Sequence, residues 1–413
     1  EGAVDEAVSV ITDLYAYCEQ GATDSYSPSE RSTLAESLNK LRDAYYAEGD
    51  VEYAGRYLFS GYMTDTPLTY QSDETAAKAD FTITQKFTRE NIELKTVYTN
   101  AYSNDDILNL NVKTDATTGN VITPNVADVH RVRIGYTKVS DAGTFEIKLN
   151  DGTTIAAASV NDSNYQPGDD EAAFNAATGE ILLGENVYKQ LYASDGFSFT
   201  YRKDNFAKGD LNPVMYYDCV DNNPDNAGVV YTKKTEDIEY NINFSQKLKV
   251  NTEANEVFNM YLGRDIDDLI TSVNNVIDIE AQLEKVEGML KQDIYSDKDS
   301  QSKLNSIKEG LTKQNELAKE EMKNRFEYCV GTMQGYQEQA SLAKADAGNR
   351  MTRLNLTKSR LTEQKTNFTN LKSENEDIDL EEVVVGYSAA QLVYNASLTA
   401  ASKVIQQTLL DFL

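Results

Sequence analysis

The sequence predicts an α+β fold: an elongated rod of long antiparallel helices with a β-rich domain inserted into it. Three observations predict this. Apolar residues recur with the helical period at both ends, over residues 1–59 and again from Glu253 onward. Between about Thr99 and Val250, apolar and polar residues alternate, and Asn, Asp and Gly cluster in the turns. The last seventy or so residues contain no proline and hardly any glycine, so little there can break a helix. A chain of 413 residues has room for two or three domains. The expected segments are 1–98 for the N-terminal half of the helical rod plus a hairpin or extended stretch, and 99–250 for the β insert. The C-terminal half of the rod takes 251–379, and an apolar helix takes 380–413.

In order along the chain, Val4, Val8, Ile11, Tyr15 and Cys18 mark one face of a helix already under way at residue 1. Residues 21–26 interrupt it. Ser27-Pro28-Ser29-Glu30 restarts it as a capping box, with serine as N-cap, proline at the first helical position and glutamate three residues on. Leu34, Leu38, Leu41 and Tyr45 supply the buried stripe, and the helix is expected to reach about Phe59, with Gly49-Asp50 as a weak spot.

At Ser60 the helical period stops. Gly61, Pro67 and the Ser/Thr-rich run are turn material, and residues 68–94 read as a hairpin or an extended loop packed on the helices. Strands are expected in 130–136, 144–149, 197–202, 229–232 and 238–244. Asn150-Asp151-Gly152 suits a hairpin turn, and a short helix is expected at about 185–192. From Glu253 the helical period returns. Val257, Tyr261, Ile266, Leu269, Ile270, Val273, Val276, Ile277 and Leu283 mark a long helix, broken at residues 295–299, with Asp299 as candidate cap of the next. That next helix carries Leu304, Ile307, Leu311, Leu317 and Met322 and is expected to run to about Ser373.

Its distal part has a thin seam: Ala347, Leu354, Leu361 and Phe368 fall seven apart, with Leu371 and Ile378 beside them. That is coiled-coil spacing. An acidic run at 374–379 then suits the start of a new helix. Beyond it charge almost vanishes, and Val384, Val385, Ala389, Leu392, Val393, Ala396, Ala400, Val404, Ile405, Leu409 and Phe412 form a wide apolar face. Such a face must be covered by something. Three coverings are weighed: an intramolecular core, a membrane surface and neighbouring molecules in a polymer. The membrane surface is disfavoured, because Lys403 is the helix's one basic residue.

Chemistry is sparse. The single histidine, His130, lies in an alternating strand and rules out any two-histidine zinc motif. No phosphate loop, dinucleotide fingerprint or serine elbow is present, so no catalytic, metal or cofactor residue is assigned. The acidic clusters Asp169-Asp170-Glu171 and Asp265, Asp267, Asp268 read as solvated loops and caps, and residues 221–226 read as a plain turn lacking calcium-loop spacing. With Lys+Arg at 39 and Asp+Glu at 67, the net charge of −28 opposes a nucleic-acid partner. Cys18, Cys219 and Cys329 are far apart and odd in number, so all three are expected to be free. No segment is apolar and long enough to span a bilayer, and no signal peptide is visible.

The two ends resemble the flagellin superfamily, and within it the hook-associated junction proteins. The resemblance is carried by Asn349-Arg350, Leu354, residues 376–384 (EDIDLEEVV) and 391–413, which end Leu-Leu-Asp-Phe-Leu. At the other end it is carried by 55–62 (GRYLFSGY), with Tyr57, Phe59, Ser60 and Gly61 in the family's order, and by Thr64-Asp65-Thr66-Pro67. The middle of the chain carries none of it. The resemblance implies a non-enzymatic structural part of the bacterial flagellum, exported unfolded by the flagellar type III system and held outside the cell between hook and filament. It implies hook-associated protein 1, flagellin, an export chaperone and copies of the chain in a ring as partners. The face from Val384 to Phe412 would be the polymer and chaperone contact, and Leu354, Leu361, Phe368 and Leu371 the rod seam. It also implies that the family's first helical segment, partner of the apolar C-terminal helix, is missing from this sequence. Two alternatives stay open: a flagellin filament subunit, and a glycan-binding or glycan-cleaving module in the β insert, which would need two facing carboxylates in a pocket.

Overall fold

Two helices lead the chain, and each carries its apolar residues on one side. The computed structural model describes residues 2–22, 26–226, 228–235, 237–243, 246–377 and 379–404. Helix α1 spans Gly2–Gly21 and buries Val4, Ala7, Ile11, Leu14 and Cys18. Helix α2 spans Pro28–Ala47 and starts at the expected capping box: the Ser27 N–H donates to Glu30 Oε2 at 2.8 Å, while Ser27 Oγ accepts from the Glu30 N–H at 3.4 Å. The expected continuation to Phe59 does not form. Gly49 is pressed onto Leu68, where a Cβ would lie 2.1 Å from Cδ2, and Asp50 Oδ1 accepts from the Thr69 N–H at 3.0 Å. These contacts turn the chain into a small hairpin of β1 (Glu52–Tyr53) and β2 (Arg56–Tyr57), with Ala54 and Gly55 at positive φ of 53° and 75°.

The central sheet follows, with one short helix ahead of its first strand and two between its strands. In chain order these are α3 (Asp73–Ala77), β3 (Phe81–Phe87), β4 (Ile92–Thr99), α4 (Asn104–Leu108), β5 (Asn125–Arg133), β6 (Phe145–Leu149) and β7 (Thr154–Ser159). Then come β8 (Ala172–Asn175), β9 (Glu180–Leu183), α5 (Glu185–Tyr192), β10 (Phe197–Lys203), β11 (Asp218–Asp221) and β12 (Val230–Tyr231). The ten strands lie in the order β12-β11-β3-β10-β6-β7-β8-β9-β5-β4, with β7·β8 as the parallel pair. The sheet therefore begins at Phe81, earlier than the boundary expected at 99: the stretch read as a packed hairpin or loop supplies two of its strands.

The order of the strands rules out a flat sheet. Strands β3 and β4 stand seven places apart in it, which would separate them by about 34 Å in a flat sheet. Yet only residues 88–91 join them, a connection reaching at most ~18 Å. The sheet must curl so that β4 returns toward β3. Cross-connections fit this: Gln85 on β3 accepts from the Gly135 N–H, just beyond β5, at 2.9 Å. Inside the curl lie Ile83, Phe174, Ile181, Phe197 and Phe199, all fully buried or nearly so. At roughly 1.5–3 kcal/mol for each large apolar side chain removed from water, this is the main stabilising term of the sheet.

Strands β13 (Glu239–Asn243) and β14 (Gln246–Lys249) form a separate two-stranded sheet. The helical part resumes with α6 (Ala254–Val257), α7 (Met260–Leu290), α8 (Lys298–Glu376) and α9 (Leu380–Val404). The cap of α8 is Asp297 rather than Asp299: its Oδ1 accepts from the Ser300 N–H at 2.9 Å, while Asp299 pairs with Lys303 one turn on at 2.7 Å.

Cross-helix contacts fix the directions. Asp5 meets Lys344, Thr12 meets Gln337, Tyr15 meets Gln334 and Gly21 meets Phe326, so α1 and α8 are antiparallel. Arg31 with Glu280 and Tyr46 with Asn259 make α2 and α7 antiparallel. Glu287 with Lys308 and Asp265 with Tyr336 do the same for α7 and α8. The seam of this bundle contains Leu14, Leu38, Val273, Leu304, Ile307 and Phe326, each with no or almost no exposure. The chain divides into two compact units, one of Glu1–Glu239 with Lys249–Gly348 and one of Tyr240–Leu248 with Asn349–Leu413. The first contains the bundle and the ten-stranded sheet.

Candidate functional site

The second unit is nearly all surface. Among its described residues only Leu248 and Thr357 are buried. The expected seam residues Leu354, Leu361, Phe368 and Leu371 all face solvent, Phe368 at 71 % exposure. Helix α9 starts where the acidic run ends: Asp379 Oδ1 accepts from the Glu381 N–H at 2.9 Å, and Glu381 and Glu382 occupy the favourable first turn. None of its 25 residues is buried. Val384, Val385, Leu392, Val393 and Val404 are all more than half exposed, and Ala396 is exposed beside them. Ile405, Leu409 and Phe412, like Ile378, lie outside the described residues. Large apolar side chains repeated along a helix at such exposure form a surface that another molecule can cover.

The Tyr57–Gly61 motif does a different job. The Tyr57 N–H donates to Thr64 O at 2.9 Å, closing a tight loop. Phe59 is buried edge-on against Phe258, with ring centroids 5.0 Å apart. Ser60 bridges to Glu253, and Gly61 turns at φ +60° beside the Glu253 side chain. The motif thus fastens the segment that leads into the sheet to the one that returns from it.

A buried ionic cluster joins sheet and bundle, and the sequence reading missed it. Asp265 and Asp268 are not solvated caps but lie along α7 against β5. Arg131 bonds Glu180 at 2.6 Å, Asp268 at 2.5 Å and Glu93 at 3.2 Å. Arg133 bonds Glu93 at 2.7 Å and Asp265 at 2.8 Å. Arg42 on α2 pairs with Asp267, so that carboxylate too belongs to an ion pair rather than a cap. Burial pushes the carboxyls of Glu180 and Asp268 up, but the cations outweigh it: Lys95 and Arg131 hold Glu180, and Arg131, Arg133 and Arg264 hold Asp268, below the usual range. Burial prevails at Asp265, which is raised despite Arg133 and the Tyr336 hydroxyl. Alternation of Arg131 and Arg133 on one strand with acids spaced along a helix was the available signal, but it appears only once the two are known to pack together.

Beside this cluster a cleft of about 1130 Å³ runs between the sheet and helices α2 and α7, lined by Lys95, Tyr98, Arg131, Arg264, Asp267 and Asp268 among others. Among its carboxylates, the neighbouring cations hold Glu180 and Asp268 below the usual range, while burial raises Asp267 despite Arg42. Elsewhere the polar candidates are structural. His130 stacks on Tyr188 with centroids 3.5 Å apart. Asp169, Asp170 and Glu171 form a loop whose Glu171 accepts from the Tyr165 hydroxyl at 2.7 Å. At residues 221–226, Asp221 and Asn223 accept from backbone N–H groups two residues on, at 2.9 and 3.0 Å, as in a turn. Among the described residues no group of three or more potential ligands could hold a metal ion, and no helix is long and apolar enough to cross a membrane.

No family model matches the sequence, and no curated protein matches it. Among solved structures the chain is similar to FlgL of Xanthomonas campestris, at 12% identity and a TM-score of 0.32, covering 90% of this chain and 91% of that one. It is similar to the flagellar junction protein FlgL from Legionella pneumophila, at 12% identity and a TM-score of 0.25, covering 86% and 90%. A further similar chain is flagellar hook associated protein-3 from Legionella pneumophila, at 10% identity and a TM-score of 0.22, covering 88% and 90%.

Proposed function

We propose that the chain is a hook-associated protein 3, a non-enzymatic structural component of the bacterial flagellum outside the cell, placed between the hook side and the filament. One observation carries the proposal: an apolar helix of 25 residues, α9, with no buried residue, following a stretch of α8 whose seam residues are also exposed. Surface of this kind is stable only when covered. The end motifs quoted above supply the candidates: hook-associated protein 1 and flagellin on either side, further copies of the chain in a ring, and an export chaperone before assembly. The contact would run through Val384, Val385, Leu392, Val393, Ala396 and Val404, with Leu354, Leu361, Phe368 and Leu371 as the seam toward neighbouring helices. An elongated rod is part of the proposal. Within the first unit it is supported by the length of α7, 31 residues, or about 45 Å at the α-helical rise.

The test is Leu392→Asp combined with Val404→Asp. Each places an unpaired charge in a packed interface while touching nothing buried in the free chain. The variant should keep its helical circular dichroism, yet fail to join filament to hook in a strain lacking the native gene. Electron micrographs would show hooks without filaments. Normal filaments and normal swimming would overturn the proposal.

A further inference from the structure

Cys18 and Cys329 were expected to be free, being far apart in sequence and part of an odd set. Both are free, and the fold brings them near each other. The antiparallel register of α1 and α8 brackets them: Tyr15 faces Gln334 and Gly21 faces Phe326, so position 18 falls opposite 329–331. The helices approach closely there, since a Cβ on Gly21 would lie 2.0 Å from the Phe326 ring. The register sets Cys18 and Cys329 across from each other in the packed seam, where the side chains are 0% and 1% exposed. The third cysteine, Cys219, is buried on β11 in the sheet.

We propose that Cys18 and Cys329 are a latent disulfide, closed in an oxidising medium to lock α1 onto α8. With a small-molecule disulfide such as oxidised glutathione as oxidant, one cysteine loses its proton and attacks the oxidant's S–S bond. A mixed disulfide forms and one glutathione thiolate leaves. The second cysteine, also deprotonated, then attacks the protein-bound sulfur of the mixed disulfide. The Sγ–Sγ bond forms, the second glutathione thiolate leaves, and the two protons end on the two glutathione thiols. Contact with Cys18 and burial push the Cys329 thiol up, so thiolate is scarce in the folded chain. Closure therefore accompanies folding, when both sulfurs are still accessible.

The test refolds the full chain from denaturant into a glutathione redox buffer, quenches with an alkylating agent and maps the peptides. The expected product links Cys18 to Cys329 within one chain and leaves Cys219 alkylated, so titratable thiols fall from the three of the sequence to one. Cys18→Ser should abolish the linked peptide and Cys219→Ser should not affect it. A control oxidised in denaturant separates native geometry from chance, because this pair spans the longest of the three possible loops and is the one an unfolded chain closes least often. Three alkylated cysteines after refolding would overturn the proposal. So would a predominant link through Cys219 or between chains, or a linked yield no higher than in denaturant.

Discussion

Replacing Arg131 by Ala should destabilise the first unit by about 3 kcal/mol. The side chain is 2% exposed and bonds Glu180 at 2.6 Å and Asp268 at 2.5 Å, so truncation leaves two carboxylates short of a cation. Removing one partner of a buried ion pair costs roughly 3–5 kcal/mol, because the charge left behind has lost its compensation. The lower end applies here. Glu180 keeps Lys95 at 2.6 Å, and Asp268 keeps Arg133 at 3.3 Å. Urea unfolding followed by far-ultraviolet circular dichroism would read the change as a lower midpoint at unchanged slope. The pH dependence adds a second readout. Glu180 and Asp268 have folded-state values held below their unfolded ones. Their stabilisation is therefore complete above about pH 4 and is lost as pH falls through the folded values. Removing Arg131 weakens that depression, so the variant's stability should fall less steeply below pH 4 than the parent's. A destabilisation under about 1 kcal/mol at pH 7, with an unchanged acid profile, would refute the reasoning.

Ser27→Ala removes one arm of the capping box at α2 and should cost about 1 kcal/mol, measurable by the same urea titration. Gly21→Ala should cost about 1–3 kcal/mol, since its methyl group would enter the Phe326 ring; thermal melts would show it, and a neutral result would contradict the close approach of α1 and α8. In hydrogen exchange of the free chain, amides of α9 should exchange far faster than those of α8 between Leu304 and Met333, where Leu304, Ile307, Leu311, Met322, Phe326 and Met333 are buried. Equal protection in both stretches would mean that α9 is covered within the chain.

Local signals carried well from sequence to structure. The capping box at Ser27, the helix at 185–192 and the Asn150-Asp151-Gly152 turn between β6 and β7 depend on neighbours a few residues away, and each forms as expected. The losses are equally physical. Strands β8 and β9 are buried at every position, so they lack the alternation that reveals a strand with one wet face. The long helix expected to reach Phe59 stops at Ala47 because Leu68 and Thr69 capture Gly49 and Asp50, a contact that no helical periodicity records. Asp265 and Asp268 looked like ordinary surface acids, since their partners Arg131 and Arg133 lie more than a hundred residues upstream. Of the candidate site, the apolar helix was legible because its composition is unlike the rest of the chain. The ionic cluster and the Cys18–Cys329 contact were not, because each depends on a packing register rather than on a motif.

The curled sheet has a consequence for the order in which the chain can fold. Strand β3 is among the first to be made, yet its two neighbours in the sheet are β10 and β11, which pair with it at Phe87↔Phe197 and Asp221↔Phe81. Until residue 197 is available both edges of β3 are bare, and the second edge stays bare until β11 is made. Helix α1 waits longer still, for the Phe326–Lys344 stretch of α8. Contacts this distant in sequence make folding slow, since the loop must close before the contact can repay it. A chain interrupted before Phe197 exposes an unpaired strand rich in Phe, Ile and Thr, the kind of edge that recruits another copy into aggregates. Threading such a chain through a narrow opening end first would hold it in that state throughout its passage, and the sheet would close only as the last of it emerged.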